Sequence, residues 1–228
     1  MRYPVTNTGS KEEFESLWRI DQTFGNPTSY GFHEGVDINL KTGGDTDLNQ
    51  ELKSIANGKI VYYHYASHPS SAFGRHLVVR IDGEWGSRWV HFAHCSEIDF
   101  KNSVQDVAEG QVIARLGKSG NSPTAHLHFA IYKVDPATNG GIDNFANNID
   151  ELNAVWEDPI AFIDKWMAVP VNPPITEQSK FDFGNPWGVM EMQQTRSKLN
   201  DQLKEINDQK IIITDLVTKI DKIREILG

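Results

Sequence analysis

The chain has one cysteine, Cys95, in 228 residues. A lone thiol excludes an intrachain disulfide and any metal site built from several cysteines. It reads as a small buried hydrophobe. No stretch approaches the ~18 consecutive apolar residues of a membrane-spanning helix. The opening residues, Met1 to Phe14, contain no apolar core of a secretory signal. Without a signal, another route would have to carry the protein to any substrate beyond the membrane. Basic charge is also in short supply, with 22 Lys and Arg against 31 Asp and Glu, a net charge of −9. Seven residues of each sign lie from Val189 onward, so the acidic excess sits wholly in the first 188 residues. Such a body lacks the basic footprint that phosphate binding needs, which argues against nucleic acid as the main partner. What remains, 39% hydrophobic and 23% charged, suits a soluble globular protein with one sizeable core and an accessory segment.

From Ile20 to about Tyr132, short apolar runs are punctuated by Gly, Asn, Ser and Pro. Four runs are rich in β-branched and aromatic residues and read as strands: Lys59–Tyr63, His76–Ile81, Arg88–Phe92 and His126–Tyr132. Asn57-Gly58 and Asp82-Gly83 suit hairpin turns. The expected fold is therefore mainly β, an antiparallel sheet with short flanking helices. Trp156–Trp166 reads as a short helix packed on that domain, with Asp158 as N-cap and Pro159 at the first helical position. The expected organisation is an N-terminal segment over 1–19, a main β domain with a helical extension over 20–168 and a Pro- and Gly-bearing linker over 169–188. Over 189–228 there is no Gly or Pro before Gly228, and Met192, Leu199, Leu203, Ile206, Ile213, Val217, Ile220 and Leu227 lie on a seam of alternating three- and four-residue steps that Arg196, Lys210 and Arg224 interrupt. That is a heptad pattern and predicts a long amphipathic helix that self-associates as a coiled coil; the alternative is a helix lying across the β domain.

His126-Leu127-His128 is the most informative local feature. Side chains at i and i+2 of a strand share a face, so the two imidazoles enter one pocket. Upstream, His33-Glu34-Gly35-Val36-Asp37 offers a further nitrogen and a carboxylate, in a loop-into-strand context set by Gly35, Val36 and Ile38. Three protein ligands with one open position is the arrangement of a catalytic zinc, which points to a metal-dependent hydrolase. His64 and His68, four residues apart in a segment with Pro69 and several serines, read as surface loop. His91 stands three residues before His94 in a strand-like run, so the two are expected to face opposite ways, with His91 structural.

Taken in order, the motifs resemble those of the M23 metallopeptidases, the LytM/lysostaphin-type peptidoglycan endopeptidases. The matching pieces are Phe24–Pro27, His33–Ile38, Ala56–Val61, Phe92-Ala93-His94, Gly110–Ala114, Gly117–Ser122 and His126–Phe129, spanning about Gln22 to Tyr132. The resemblance implies one zinc ion per chain held by His33, Asp37 and His128, with His94 and His126 as the catalytic histidines beside it. It implies a Lewis acid that lowers the pKa of water to roughly 7 and polarises an amide carbonyl, with His94 or His126 moving protons or stabilising the oxyanion. Asn26 and Tyr30, with Trp85 and Trp89, are candidates for the substrate cleft. The segment between Tyr62 and Arg75 departs from the family's short hairpin and is expected to shape the groove.

The resemblance implies zinc-dependent hydrolysis of peptide bonds in bacterial peptidoglycan, in stem peptides or cross-bridges. The missing signal and the candidate coiled coil suggest a phage context. Such a protein would be made in the cytoplasm and act at the cell wall as a virion or tail component, or as a released endolysin. Its partners would be peptidoglycan and, through the C-terminal helix, further copies or another virion protein. A bacterial enzyme exported by another route is the competing placement. The alternative function is a cell-wall-binding or scaffold module without catalysis; a third is a metallopeptidase acting on another Gly-rich protein.

Overall fold

Strands with bulky apolar residues, two from 18–40 and five from 58–132, build one large sheet. The computed structural model describes residues 1–65, 71–100, 104–142 and 145–167. The linker expected over 169–188, the heptad helix expected over 189–228 and His68 lie outside the described residues. In chain order, α1 (Lys11–Leu17) leads into β1 (Trp18–Gln22), then β2 (Pro27–Thr28), β3 (Gly31–Phe32), β4 (Gly35–Leu40) and β5 (Glu51–Lys53). The long strands β6 (Gly58–His64), β7 (Arg75–Gly83) and β8 (Gly86–Cys95) follow, then the short β9 (Glu97–Ile98), β10 (Gln105–Val107) and β11 (Val112–Arg115). The domain closes with β12 (Leu127–Tyr132), α2 (Ile149–Val155), β13 (Trp156–Glu157) and α3 (Pro159–Met167).

The main sheet is antiparallel in the order β1-β4-β12-β8-β7-β6-β10, with β13 paired to β12 beyond the end of β4. A smaller sheet, β5-β11-β9, shares its core through Leu52, Ile98, Ile113 and Ala114. Strand β12 shows why this sheet sits at the centre. All six of its residues are buried, so both faces are covered. Leu127, Phe129 and Ile131 enter the main core with Phe92, Ile38, Leu77 and Val79. Ala130 and Tyr132 enter a second cluster with Leu152 and Trp156. Full burial of a side chain such as Phe129 contributes about 2–3 kcal/mol.

Each of the four strands expected from sequence is present, with bounds moved by one to three residues. His126 falls outside β12, which starts at Leu127, and makes an isolated bridge with Gly117 instead. Asp82-Gly83 does lie in the β7–β8 hairpin, but the turn itself is Glu84-Trp85 between the paired Gly83 and Gly86. Asn57-Gly58 is not a hairpin turn. It joins β5 to β6, which belong to different sheets. The helix expected over Trp156–Trp166 begins at Pro159, and Asp158 Oδ1 accepts from the Ile160 and Ala161 amides as a cap. Trp156 and Glu157, expected in the helix, are the strand that extends β12.

The N-terminal segment 1–19 is not separate from the domain. Tyr3, Val5, Phe14 and Trp18 are buried in the main core, and Tyr3 stacks on Phe14 with centroids 4.4 Å apart. Residue 19 falls inside β1, which forms the edge of the main sheet beside β4. Tyr3 also donates to Asp164 of α3. Sequence reading missed this because these apolar residues are spaced irregularly and carry no strand or helix period. Among the described residues, no helix is long and apolar enough to cross a membrane.

Cys95 is fully buried at the end of β8, and burial pushes its thiol up from 9.0 to about 12. Expected outcome: a thiol reagent at pH 8 labels no cysteine in the native protein and one per chain after denaturation. The sign of the linked pH effect is set by the same shift. An unfolded thiol loses its proton near pH 9 while the folded one retains it to about 12, so this group reduces stability as pH rises across that window.

Candidate metal centre

Strands β4 and β12 bring the three ligand candidates together. Their register places Asp37 directly across from His128. The pairing depends on Gly35, because a Cβ there would lie 2.5 Å from the Phe129 carbonyl oxygen. His33 sits just ahead of β4. Its backbone N–H donates to Asn26 O at 2.8 Å, and its carbonyl accepts from Gly25 N at 2.8 Å. Its Nδ1 lies 3.2 Å from Thr23 O. A carbonyl only accepts, so the proton is on Nδ1 and Nε2 keeps its lone pair.

That lone pair points at two other ligand atoms. His33 Nε2 is 3.1 Å from His128 Nδ1 and 3.3 Å from Asp37 Oδ1, and His128 Nδ1 is 3.1 Å from Asp37 Oδ1. Two ring nitrogens and a carboxylate oxygen thus form a nearly equilateral triangle. Ligand atoms about 2.0–2.1 Å from a tetrahedral zinc stand about 3.3 Å apart, so the triangle has the size of one face of such a site. Among the described residues, these three are the one group of His, Cys, Asp and Glu side chains close enough to share an ion. A donor set of two imidazoles and one carboxylate suits zinc. The residues therefore fit the metal that the sequence implies.

The electrostatics favour a cation at that point. Burial works against the charge on Asp37, but the adjoining His128 and His33 rings outweigh it and hold the carboxyl well below the usual carboxylate range. Burial likewise opposes a charged His128, yet the Asp37 hydrogen bond and the Glu34 and Asp37 carboxylates raise its pKa above the usual value. The Asp37 shift keeps its carboxyl ionised, and the His128 shift reports the negative charge of Asp37 and Glu34 beside that ring.

His94 and His126 stand beside the triangle, with ring centroids 4.7 Å apart. His94 has φ +59°, a left-handed conformation uncommon for a residue with a Cβ. The surrounding loops enforce it. Its N–H donates to Phe73 O at 2.9 Å, and its Nδ1 donates to Ser119 O at 2.8 Å. Ser119 Oγ in turn accepts from the Arg75 amide and donates to Cys95 O. Gly74, at φ +63°, permits this clasp, since a Cβ there would lie 2.3 Å from the Ser119 carbonyl carbon. Burial, then the neighbouring His126 and His128, push the His94 pKa down to about 3, so its imidazole is neutral near pH 7. His126 Nδ1 lies 3.1 Å from both Thr124 O and Ser122 Oγ, and its Nε2 is 3.7 Å from Asp37 Oδ1. All five residues line a cleft of about 460 Å³, walled by Tyr30, Phe73 and Phe145.

The sign of one local expectation is reversed. His91 does not face away from the site. The left-handed turn at His94, with the bulge between Arg75 and Leu77, breaks the strand alternation. Both rings end on the His128 side, at centroid distances of 6.0 Å for His91 and 6.2 Å for His94. His91 is fully buried and burial pushes its pKa well below the usual value, so it is a neutral core residue under the site. Of the cleft candidates, Tyr30 is on the wall, half exposed, against Phe145 at 4.9 Å. Asn26 is not on it; its backbone holds His33, and its side chain accepts from Thr23 Oγ1. Trp85 packs on Phe162 and Trp166. Trp89 lines a separate hollow with Arg80 above its ring. The Tyr62–Arg75 segment does shape the groove, through Ala72 and Phe73, while His64 lies in β6 stacked on His76 rather than in a surface loop. Sequence reading assigned no role to Thr23, Phe73, Ser119, Thr124 or Glu34. Backbone carbonyls leave no residue-type signal, but Glu34 lay inside a motif already singled out.

Residues 31–140 match Peptidase family M23, and this segment is an M23 peptidase domain. Among curated proteins, the chain is similar to the murein hydrolase activator NlpD of Escherichia coli, 29% identical over 122 residues. That match takes in 51% of this chain but 28% of the relative, so the chain spans about a quarter of the relative's length. Among solved structures it is similar to the catalytic domain of lysostaphin from Staphylococcus simulans, with 22% identity and a TM-score of 0.48 over 68% of this chain and 98% of that one. It is also similar to a zinc containing peptidase from Vibrio cholerae, with 26% identity and a TM-score of 0.42 over 57% of this chain and 35% of that one.

The strained backbone at His94 makes a prediction of its own. Asn tolerates the left-handed region and β-branched residues do not. His94→Asn should therefore melt above His94→Val, which carries a further strain cost of about 1–3 kcal/mol. Thermal denaturation of the two variants reads the difference; equal melting temperatures would mean that the backbone at 94 relaxes freely.

Proposed function

We propose that the protein is a zinc-dependent endopeptidase that hydrolyses peptide bonds in bacterial peptidoglycan, in the stem peptide or the cross-bridge. The observation that carries this reading is the triangle of His33 Nε2, Asp37 Oδ1 and His128 Nδ1 at 3.1–3.3 Å, open on the side of a cleft that also holds His94 and His126. His33, Asp37 and His128 would hold one zinc ion. When bound there, zinc supplies a Lewis acid that acidifies water and polarises the scissile carbonyl.

The chain's own residues do the rest. The His94 and His126 Nδ1 atoms face backbone carbonyls, which leaves the Nε2 lone pairs for the cleft that both rings line. A neutral imidazole so placed takes a proton from the attacking water and returns it to the leaving amine as the amide C–N bond breaks. Net, water adds across the bond to give a carboxylic acid and an amine. Phe73, Phe145 and Tyr30 wall the cleft. The proposal places this activity in a phage lytic or tail-associated protein that assembles through a coiled coil over 189–228. The heptad spacing over 189–228 supports the assembly part of that placement.

A second reading has a specific observation behind it. The curated relatives carry the name of murein hydrolase activators, which favours a peptidoglycan-binding regulator without catalysis. The complete set of ligand candidates and flanking histidines favours the enzyme. Purified peptidoglycan separates the two. The account expects new amino groups to appear with the full chain, to stop on chelation, to return with zinc and to be absent with His128→Ala. Bound zinc without amine release from several peptidoglycan types would leave the activator reading standing.

A further inference from the structure

Glu34 is buried to 1% exposure beside His33, and neither of its carboxylate oxygens makes a hydrogen bond among the described residues. An unpaired buried carboxylate is costly, so its surroundings need an explanation. The charged partner in reach is the far side of a ligand ring: Glu34 Oε1 lies 3.6 Å from His128 Nε2. That nitrogen is itself buried and, among the described residues, without a hydrogen bond. Two orphaned polar groups of complementary type therefore face each other behind the metal triangle, one an acceptor and the other a potential donor.

We infer that Glu34 is the positioning residue of the metal centre, acting as the outer carboxylate behind His128. The inference rests on the zinc reading above. A ring that gives its Nδ1 lone pair to a metal must carry its proton on Nε2, which turns that atom into a donor aimed at Glu34. A carboxylate there fixes the ring's orientation and tautomer and makes Nδ1 a stronger ligand. It also completes the charge balance. Asp37 offsets one of the two positive charges of zinc, and Glu34 offsets the other within the buried shell. His33 has the equivalent support from a neutral carbonyl, Thr23 O, so the two histidine ligands are backed by acceptors of different strength.

The test is zinc affinity of the full chain, measured by competition with a chromophoric chelator and compared with the melting temperature of the metal-free protein. Glu34→Gln keeps the shape and an acceptor but removes the charge; Glu34→Ala removes both. The expected order of affinity is wild type, then Gln, then Ala, with losses of about 10-fold to 100-fold. Phe162→Leu, in α3 on the far side of the sheet, should lower the melting temperature and leave zinc affinity unchanged, which separates positioning from general destabilisation. Wild-type binding of one zinc with both Glu34 variants within twofold of it would overturn the role of Glu34 while leaving the zinc reading intact. Failure of the wild type itself to bind zinc would overturn the zinc reading and this inference with it.

Discussion

The pairing of β4 with β12 is the constraint on which the site depends. It sets Asp37 opposite His128 and, through the short lead-in from β3, brings His33 onto the same point. A one-residue slip in that register would turn every side chain of β12 to the other face, placing His128 in the core and Leu127 in the cleft. The slip is opposed by Leu127, Phe129 and Ile131, which fill the main core from the opposite face of the strand. Apolar packing on one side of the sheet thus fixes polar geometry on the other. Gly35 is the local condition for it, because no side chain fits between the two backbones.

The second constraint is the clasp on His94. A strand residue would carry this ring away from the metal triangle, and the left-handed turn brings it back. The turn is held by backbone and side-chain bonds from two loops, 71–75 and 117–121, each with a glycine where the chains approach. Strain held in place by such contacts at a candidate active site is a familiar arrangement. It also explains why two histidines three residues apart both end near His128.

Much of this was legible before the structure. The alternating runs gave the long strands, and the paired spacing of His126-Leu127-His128 pointed to one pocket. The Asp158-Pro159 cap was readable because capping chemistry is local. What could not be read were the features that arise between distant segments. The burial of Tyr3 and Phe14 in the main core, the extension of β12 by Trp156 and the lack of any hairpin at Asn57-Gly58 all depend on tertiary partners. The His91 expectation failed because strand alternation was carried through a residue whose backbone leaves the strand. Glu34 was passed over because residue type alone does not tell a buried carboxylate from a surface one.

The claim on which the account turns is that the three ligand atoms hold one metal ion. X-ray absorption at the zinc edge on the full chain, after dialysis against metal-free buffer and addition of one equivalent, addresses it most directly. The account predicts retained zinc, two imidazole shells and oxygen scattering at about 2.0–2.1 Å in a low-coordinate environment. Zinc lost on dialysis, or a six-coordinate shell of oxygen alone, would contradict it.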